Sequence, residues 1–210
     1  MAVTIRAARP GDGSGMARAW VSAADYYADL DPVHFQRPQP QGLAESFEDS
    51  ITRAGNHVLL LVAELDGRVA GWLAARIQLP DKDAAAELMR EPGWIRLAIE
   101  VLIVDTPAWR HGAGTALMEA AESWGRDQGA HVARLGTYAH SPVSVPFYEK
   151  PDGLRTARDH LPERAWLIPG NARARWGCCG RCGACCDRRR IRRPRGPVGH
   201  RGTRTGSRPW

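Results

Sequence analysis

Apolar and polar positions change period several times along the chain. Val3-Thr4-Ile5-Arg6-Ala7 alternates and stops at Pro10-Gly11-Asp12, which predicts a short strand and a turn. Residues 14–30 carry a helical repeat halted by Pro32, and Leu43–Ala54 carries a second, ended by Gly55-Asn56. His57–Leu65 and Arg68–Leu79 read as two strands joined by Asp66-Gly67, a strong hairpin signal. A polar insert over Asp81–Arg90 reads as helical, and Trp94–Asp105 (WIRLAIEVLIVD) reads as the most buried strand. Ala113–Gln128 repeats Ala113, Ala116, Leu117, Ala120, Ala121 and Trp124 on one face, with Gly129 as its cap. His131–Ala139 predicts a further strand, and a short helix starts at Val143. The order β-α-α-β-β-β-α-β-α predicts a mixed α/β domain: a mostly antiparallel sheet flanked by helices and awaiting one more strand.

Charge divides the 210 residues at Lys150. Residues 1–150 hold 14 Lys+Arg against 19 Asp+Glu and no cysteine, whereas residues 151–210 hold 15 Arg, no Lys and four acids. All five cysteines fall between Cys178 and Cys186, so the overall charge of +6 describes neither part. No run of 18 apolar residues is present, which excludes a membrane-spanning helix. The start MAVTIRAARPGDG has no basic and then apolar stretch of the secretory kind, so the expectation is a cytoplasmic protein. No repeat at a period of 20 to 50 residues is visible.

The chemistry concentrates where a strand meets a helix, at Trp109-Arg110-His111-Gly112-Ala113-Gly114-Thr115. A helix start presents unbonded amides and a positive dipole end, so it suits anions and phosphates above all. Arg110 adds a cation. A tight βα turn with glycines for geometry alone is the plain alternative. A dinucleotide fingerprint would need a third glycine where Leu117 stands, and a Walker loop would need Lys after Gly114, where Thr115 stands.

Together with its flanks this segment resembles the GNAT superfamily of acetyl-CoA-dependent N-acetyltransferases. The matching pieces are Ile99–Asp105, the Arg110–Thr115 loop, Ala116-Leu117-Met118, and the run from Ser141 through Phe147-Tyr148-Glu149-Lys150, within residues 3–150. Arg110 stands two residues before Gly112 where the family usually has three, so an ungapped match puts Trp109 in the arginine slot. Ser141 and Ser144 stand where the family has Asn and Ala. The resemblance implies acetyl-CoA as co-substrate and no metal. Its pantetheine would lie along backbone groups of Leu102, Ile103 and Val104, and its pyrophosphate on Arg110, His111, Gly112, Ala113, Gly114 and Thr115. Ser141 would contact the pantetheine arm.

The resemblance also implies Glu100 as the base that takes the amine's proton. Its place inside an apolar strand carries the expectation that burial raises its pKa towards neutrality. A carboxylate facing water is the plain alternative. Tyr148 matches the acid that protonates the leaving thiolate, with anchoring of the last helix as its plain role. His131 and His140 read as structural. Tyr26, Tyr27, Asp31 and His34 fall in the helical region that walls the acceptor site in such a fold, with one tyrosine expected in the core. The expected partner is a small-molecule or peptide amine, with a homodimer open and neither membrane nor nucleic acid involved.

Residues 151–210 contain six Leu, Ile, Val or Phe, too few to offset the entropy of ordering them, which predicts a disordered tail. Cys179-x-x-Cys182-x-x-Cys185 leaves no loop between cysteine pairs, so a zinc ribbon is not expected. The Arg188-Arg189-Arg190 run could contact phosphates but lacks aromatic interleaving. Read one nucleotide later, codons for residues 151–166 can encode RMGYARRAIIFQKELG before a stop, a Gly-Tyr turn and a strand. The sequence therefore predicts an N-acetyltransferase domain over 1–150 whose final strand is missing, with 151–210 an out-of-frame Arg/Gly/Cys-rich tail. The alternatives are an inactive relic and an Arg-tail nucleic-acid binder.

Overall fold

The computed structural model describes residues 2–88 and 90–149, and the backbone of 164–167. Its strands are β1 Val3–Ala7, β2 Val58–Leu65, β3 Arg68–Gln78, β4 Arg96–Val104, β5 Val132–Leu135 and β6 Arg164–Leu167. The helices are α1 Gly13–Leu30, α2 Leu43–Arg53, α3 Ala113–Asp127 and α4 Ser144–Tyr148. The sheet runs β1-β2-β3-β4-β5-β6, antiparallel at every pairing except the parallel β4–β5. This is the mixed α/β architecture that the periodicities predict. Asp66 and Gly67 both take positive φ, which closes the β2–β3 hairpin as the dipeptide foretold.

Side-chain alternation sorts the sheet into two covered faces. On one, Leu61, Leu73, Leu97, Ile99 and Leu135 pack with Leu117, Met118 and Ala121 of α3 and with Tyr148. On the other, Val62, Val69 and Trp72 pack with Met16 and Ala19 of α1, with Trp20, Phe47 and Ile51 at the margin. Leu117 is fully buried, a gain of roughly 1.5–3 kcal/mol over leaving it in water. The entry to α1 is held by charge. Arg6 bridges Asp12 at 2.6 Å and Glu64 at 2.5 Å, while the Glu48 carboxylate accepts the Gly13 N–H at 2.7 Å. The Arg6 guanidinium holds the Asp12 carboxyl below its usual range.

Several expectations need correction. The insert after β3 forms two 3-10 turns, Ala84–Ala86 and Glu91–Gly93, in place of an α-helix. Leu88 is fully exposed there, so the segment has no docked apolar face, and short helices depend on one. The most buried strand is β3 rather than β4, because β4 has a neighbour on both sides only as far as Ile99. The fifth strand ends at Leu135, short of Ala139. The chain as written also supplies a sixth strand, so the closing strand expected to be missing is present: Arg164–Leu167 pairs antiparallel with Val132–Leu135. Its few apolar residues are obscured in the sequence by the arginines around them. The disordered-tail, cysteine and arginine-run readings otherwise lie outside the described residues.

Candidate active site

The site begins where two adjacent strands part. Arg96–Ile99 of β4 pairs with Val132–Leu135 of β5, and beyond Ile99 only the β3 side of β4 remains paired. A bulge opens the β3–β4 ladder at the same level: Ala74 faces Val101 and Ala75 faces Ile99, which leaves Glu100 as the extra residue. The bulge shifts the alternation by one. Ile99 faces α3, Val101 and Ile103 face α1, and Leu102 and Val104 return to the α3 side.

Backbone direction follows from the same register. The Asp105 N–H bonds the Ala70 carbonyl at 2.8 Å, so Ile103 belongs to the ladder with Trp72, while Leu102 and Val104 turn their polar groups to the side that β5 has left. Of the three residues expected to line a ligand through their backbones, Ile103 is thereby corrected: its groups are spent within the sheet. The Val104 carbonyl accepts the indole N–H of Trp109 at 2.7 Å. The open edge therefore offers the Leu102 N–H and C=O and the Val104 N–H, a donor and acceptor pattern that an amide-bearing chain could match.

At the end of β4 the chain turns into α3. Arg110 and Gly112 both have positive φ, at 66° and 85°, and Gly112 supplies the left-handed residue that starts the helix. The first intrahelical bond runs from the Ala116 N–H to the Gly112 carbonyl, so the amides of Ala113, Gly114 and Thr115 have no helical acceptor. A Cβ on Gly114 would lie 3.4 Å from the Phe147 ring and 3.7 Å from Val104, so its absence lets α3 start close to both. Arg110 and His111 are exposed on the rim, and the His111 Nδ1–H donates to the Trp109 carbonyl at 2.9 Å. Trp109, in the slot where the resemblance places an arginine, instead packs edge-on against Tyr26 with ring centres 4.9 Å apart.

Glu100 departs from its expected surroundings. Its side chain is 46% exposed and its carboxylate meets the Arg76 guanidinium at 2.5 Å, so the burial that the sequence reading relied on is absent. The bulge is the reason, since it ejects Glu100 from the packed alternation. Tyr148 is buried in the α3-side core, and burial pushes its phenol well above the usual tyrosine value. Ser141 is buried, and its hydroxyl accepts the Ser144 N–H at 3.0 Å, which fastens the start of α4. Tyr27 ties α1 to that same point through a 2.6 Å hydrogen bond with Ser144.

The α1–α2 connection builds a second wall. The Asp31 carboxylate accepts from the Tyr138 hydroxyl and from His34 Nδ1–H at 2.8 Å, and Phe35 sits between the Tyr27 and Tyr138 rings at 5.0 Å from each. The Tyr138 hydroxyl above all, with the His34 donors, holds the Asp31 carboxyl at about 2. Tyr26 and Tyr27 are both half-buried and neither joins a core cluster, unlike the expectation for one of them. A cleft of about 690 Å³ runs beside Tyr26, lined also by Arg18, Ser22, Asp25, Thr106 and Trp109 among others. Sequence reasoning missed Arg76 and Tyr138 as site residues, because a register shift and a loop approach bring them there.

The acetyltransferase (GNAT) family profile matches residues 21–154. The chain belongs to the GNAT acetyltransferase family. Solved structures with a similar fold include an N-acetyltransferase. The PaiA N-acetyltransferase of Thermoplasma acidophilum, solved with coenzyme A, superimposes with a TM-score of 0.58 at 16% identity, covering 80% of this chain and 98% of its own. A tetramutant of the BH1408 protein of Bacillus halodurans gives 0.63 at 18% identity over 75% of this chain and 97% of its own. A transcriptional regulator of Bacillus halodurans C-125 gives 0.57 at 22% identity, with 76% and 97% covered. At such identities these likenesses show the fold. No curated protein sequence matches the chain. Among the described residues, no three or more His, Cys, Asp or Glu side chains are placed to hold a metal, and no helix is long and apolar enough to cross a membrane.

Proposed function

We propose that this GNAT protein transfers an acetyl group from acetyl-CoA to the nitrogen of a primary amine. The observation that carries the reading is the junction of two unpaired sets of backbone groups. Leu102 and Val104 face the opening between β4 and β5, and the Ala113, Gly114 and Thr115 amides cap its end at the α3 N-terminus. The strand edge would hold the amides of the pantetheine arm. The three amides, with Arg110 and His111 beside them, would hold the pyrophosphate. Acetyl-CoA, when bound, supplies the activated acyl group as a thioester.

Two side chains are assigned to the protons. The amine must lose a proton to become a nucleophile, and Glu100 stands exposed at the bulge on the α1 face, where it can take that proton directly or through a water. Arg76 keeps its carboxylate in position. Tyr148, kept protonated by burial, holds on its Oη the proton that a departing thiolate needs. The Asp31–His34–Tyr138 cluster lies on the wall from which an amine would enter.

The test is release of free thiol from acetyl-CoA with a panel of primary amines, alongside calorimetric titration of acetyl-CoA alone. Binding together with amine-dependent thiol release is the expected result. A folded protein that does not bind acetyl-CoA would refute the reading. Glu100→Gln is expected to lower turnover about 100-fold or more with acetyl-CoA affinity kept, and unchanged turnover would remove Glu100 as the base.

A further inference from the structure

Among the described residues, the helix α1 packs over only part of the sheet face that it covers. Met16, Ala19 and Trp20 pack above Val62, Trp72, Val101 and Ile103, towards the end of β4 that leads into α3. On the other side of the bulge, the same face presents Arg76 of β3, Ala98 of β4 and Arg134 of β5. The three are direct cross-strand partners in one row: Arg76 pairs with Ala98, and Ala98 pairs with Arg134. Their sequence neighbours Ala75, Ile77, Leu97, Ile99, Ala133 and Leu135 all belong to the α3-side core, which fixes the row on the opposite face. Two long cationic side chains thus rise about 10 Å apart on either side of a methyl group.

The two guanidinium groups are not neutralised to the same degree. Arg76 is 53% exposed and spends its Nε on Glu100, so the rest of its donor fork is left over. Arg134 is half-buried, and its Nε is enclosed without a hydrogen-bond partner. No ion pair to Arg134 occurs among the described residues. An arginine cannot shed its charge, and an enclosed donor without an acceptor is costly. A structural arginine would be expected to face a carboxylate or a carbonyl, and among the described residues none accepts from Arg134 Nε. The missing acceptor is supplied if the row is a binding site.

Ala98 lies two residues from Glu100 along β4, roughly 7 Å at strand spacing. An anion above Ala98 would therefore belong to the same small molecule as a nitrogen at the bulge. We infer that the acceptor is an amine that also carries an oxyanion, carboxylate or phosphoryl, held by Arg134 and Arg76 beside the Glu100 bulge. The inference rests on the acetyl-transfer reading and adds the substrate class. Arg134 is here a specificity determinant: it holds the part of the acceptor that does not react.

Four amines test this in the thiol-release assay with the full chain. β-Alanine carries a carboxylate, 2-aminoethylphosphonate a phosphoryl group, β-alanine amide neither, and 1,4-diaminobutane a second cation. At least one of the two anionic amines is expected to exceed the amide by about tenfold or more in kcat/KM, the scale of one charge-assisted contact, and the preferred one identifies the oxyanion. Arg134→Gln, checked for folding by its thermal melt, is expected to erase that preference chiefly through KM, and Arg134→Lys to restore part of it. Equal turnover of all four, or turnover of the diamine or amide ahead of both anionic amines, would overturn the inference while acetyl transfer stands. Loss of acetyl-CoA binding together with every turnover would instead remove the acetyl-transfer reading, and this inference with it.

Discussion

The two halves of β4 share one strand and differ in what lies beside them. Arg96–Ile99 has hydrogen-bonded neighbours on both sides, and Leu97 and Ile99 are buried. Leu102–Val104 is just as apolar in sequence but keeps a neighbour on the β3 side alone, and its side chains are only partly buried. The first half makes a sheet. The second leaves backbone donors and an acceptor without strand partners, and the Glu100 bulge between them marks the changeover. Apolar content alone does not distinguish a structural strand from a binding edge; the distinction lies in which carbonyls and amides are already used.

Proline substitution separates the two kinds of backbone group most strongly. Ile103→Pro removes an N–H from the ladder with Trp72 and strands a buried carbonyl, a cost of at least about 1–3 kcal/mol before strain is added. Leu102→Pro removes an N–H that faces the opening. It is expected to leave most of the fold intact while acetyl-CoA binding weakens tenfold or more, on the scale of about 1.4 kcal/mol. Thermal melts and calorimetric titration of both variants check this. Similar melting and similar binding in the two would erase the contrast.

Gly112→Val probes the end of the open half. A β-branched residue at φ 85° costs about 1–3 kcal/mol of strain and would turn the Ala113–Thr115 amides out of line. A loss of acetyl-CoA affinity larger than the loss of stability is expected, read by titration against melting.

Tyr148 tests whether the closed half is only structural. Tyr148→Phe is expected to lower turnover roughly tenfold or more while acetyl-CoA affinity stays within about twofold. Equal losses in both would leave Tyr148 as a packing residue. Its pKa is raised in the folded state by burial, so its stabilising share is complete below the ordinary tyrosine value near 10 and is lost as pH rises above it. Denaturation followed from pH 9 upwards should fall less steeply in Tyr148→Phe than in the parent, and parallel curves would contradict the burial effect.

The smallest effect concerns the wall facing the opening. The Asp31 carboxyl is held at about 2, first by the Tyr138 hydroxyl, so its contribution is present above the usual aspartate range and lost as pH falls towards 2. Carbon-detected titration of Asp31 should show a midpoint near 2 that moves back towards 4 in Tyr138→Phe. An unmoved midpoint would assign the shift to His34 and the backbone donors.

Much of this could be read from the amino-acid order. β1, the β2–β3 hairpin and α3 lie within a residue of their expected bounds, because alternation, Asp66-Gly67 and a helical repeat are local signals. The loop from Arg110 to Thr115 was legible for the same reason. Glu100 was misjudged because a bulge is a relation between two strands: Ala74 opposite Val101 and Ala75 opposite Ile99 cannot be seen in β4 alone. Arg134 and Arg76, far apart in the chain, meet across Ala98 only once the register is known. β6 was missed because four residues in an arginine-rich stretch gain strand character from β5 rather than from their own pattern.

Backbone amide exchange, followed by NMR with and without acetyl-CoA, tests the central claim most directly. Slowed exchange at Leu102, Val104, Ala113, Gly114 and Thr115, with Ile103 already protected in the free protein, is the result expected if the unpaired half of β4 and the start of α3 are the acetyl-CoA site. Protection confined to other residues, or an Ile103 amide that becomes protected only when acetyl-CoA is added, would contradict it.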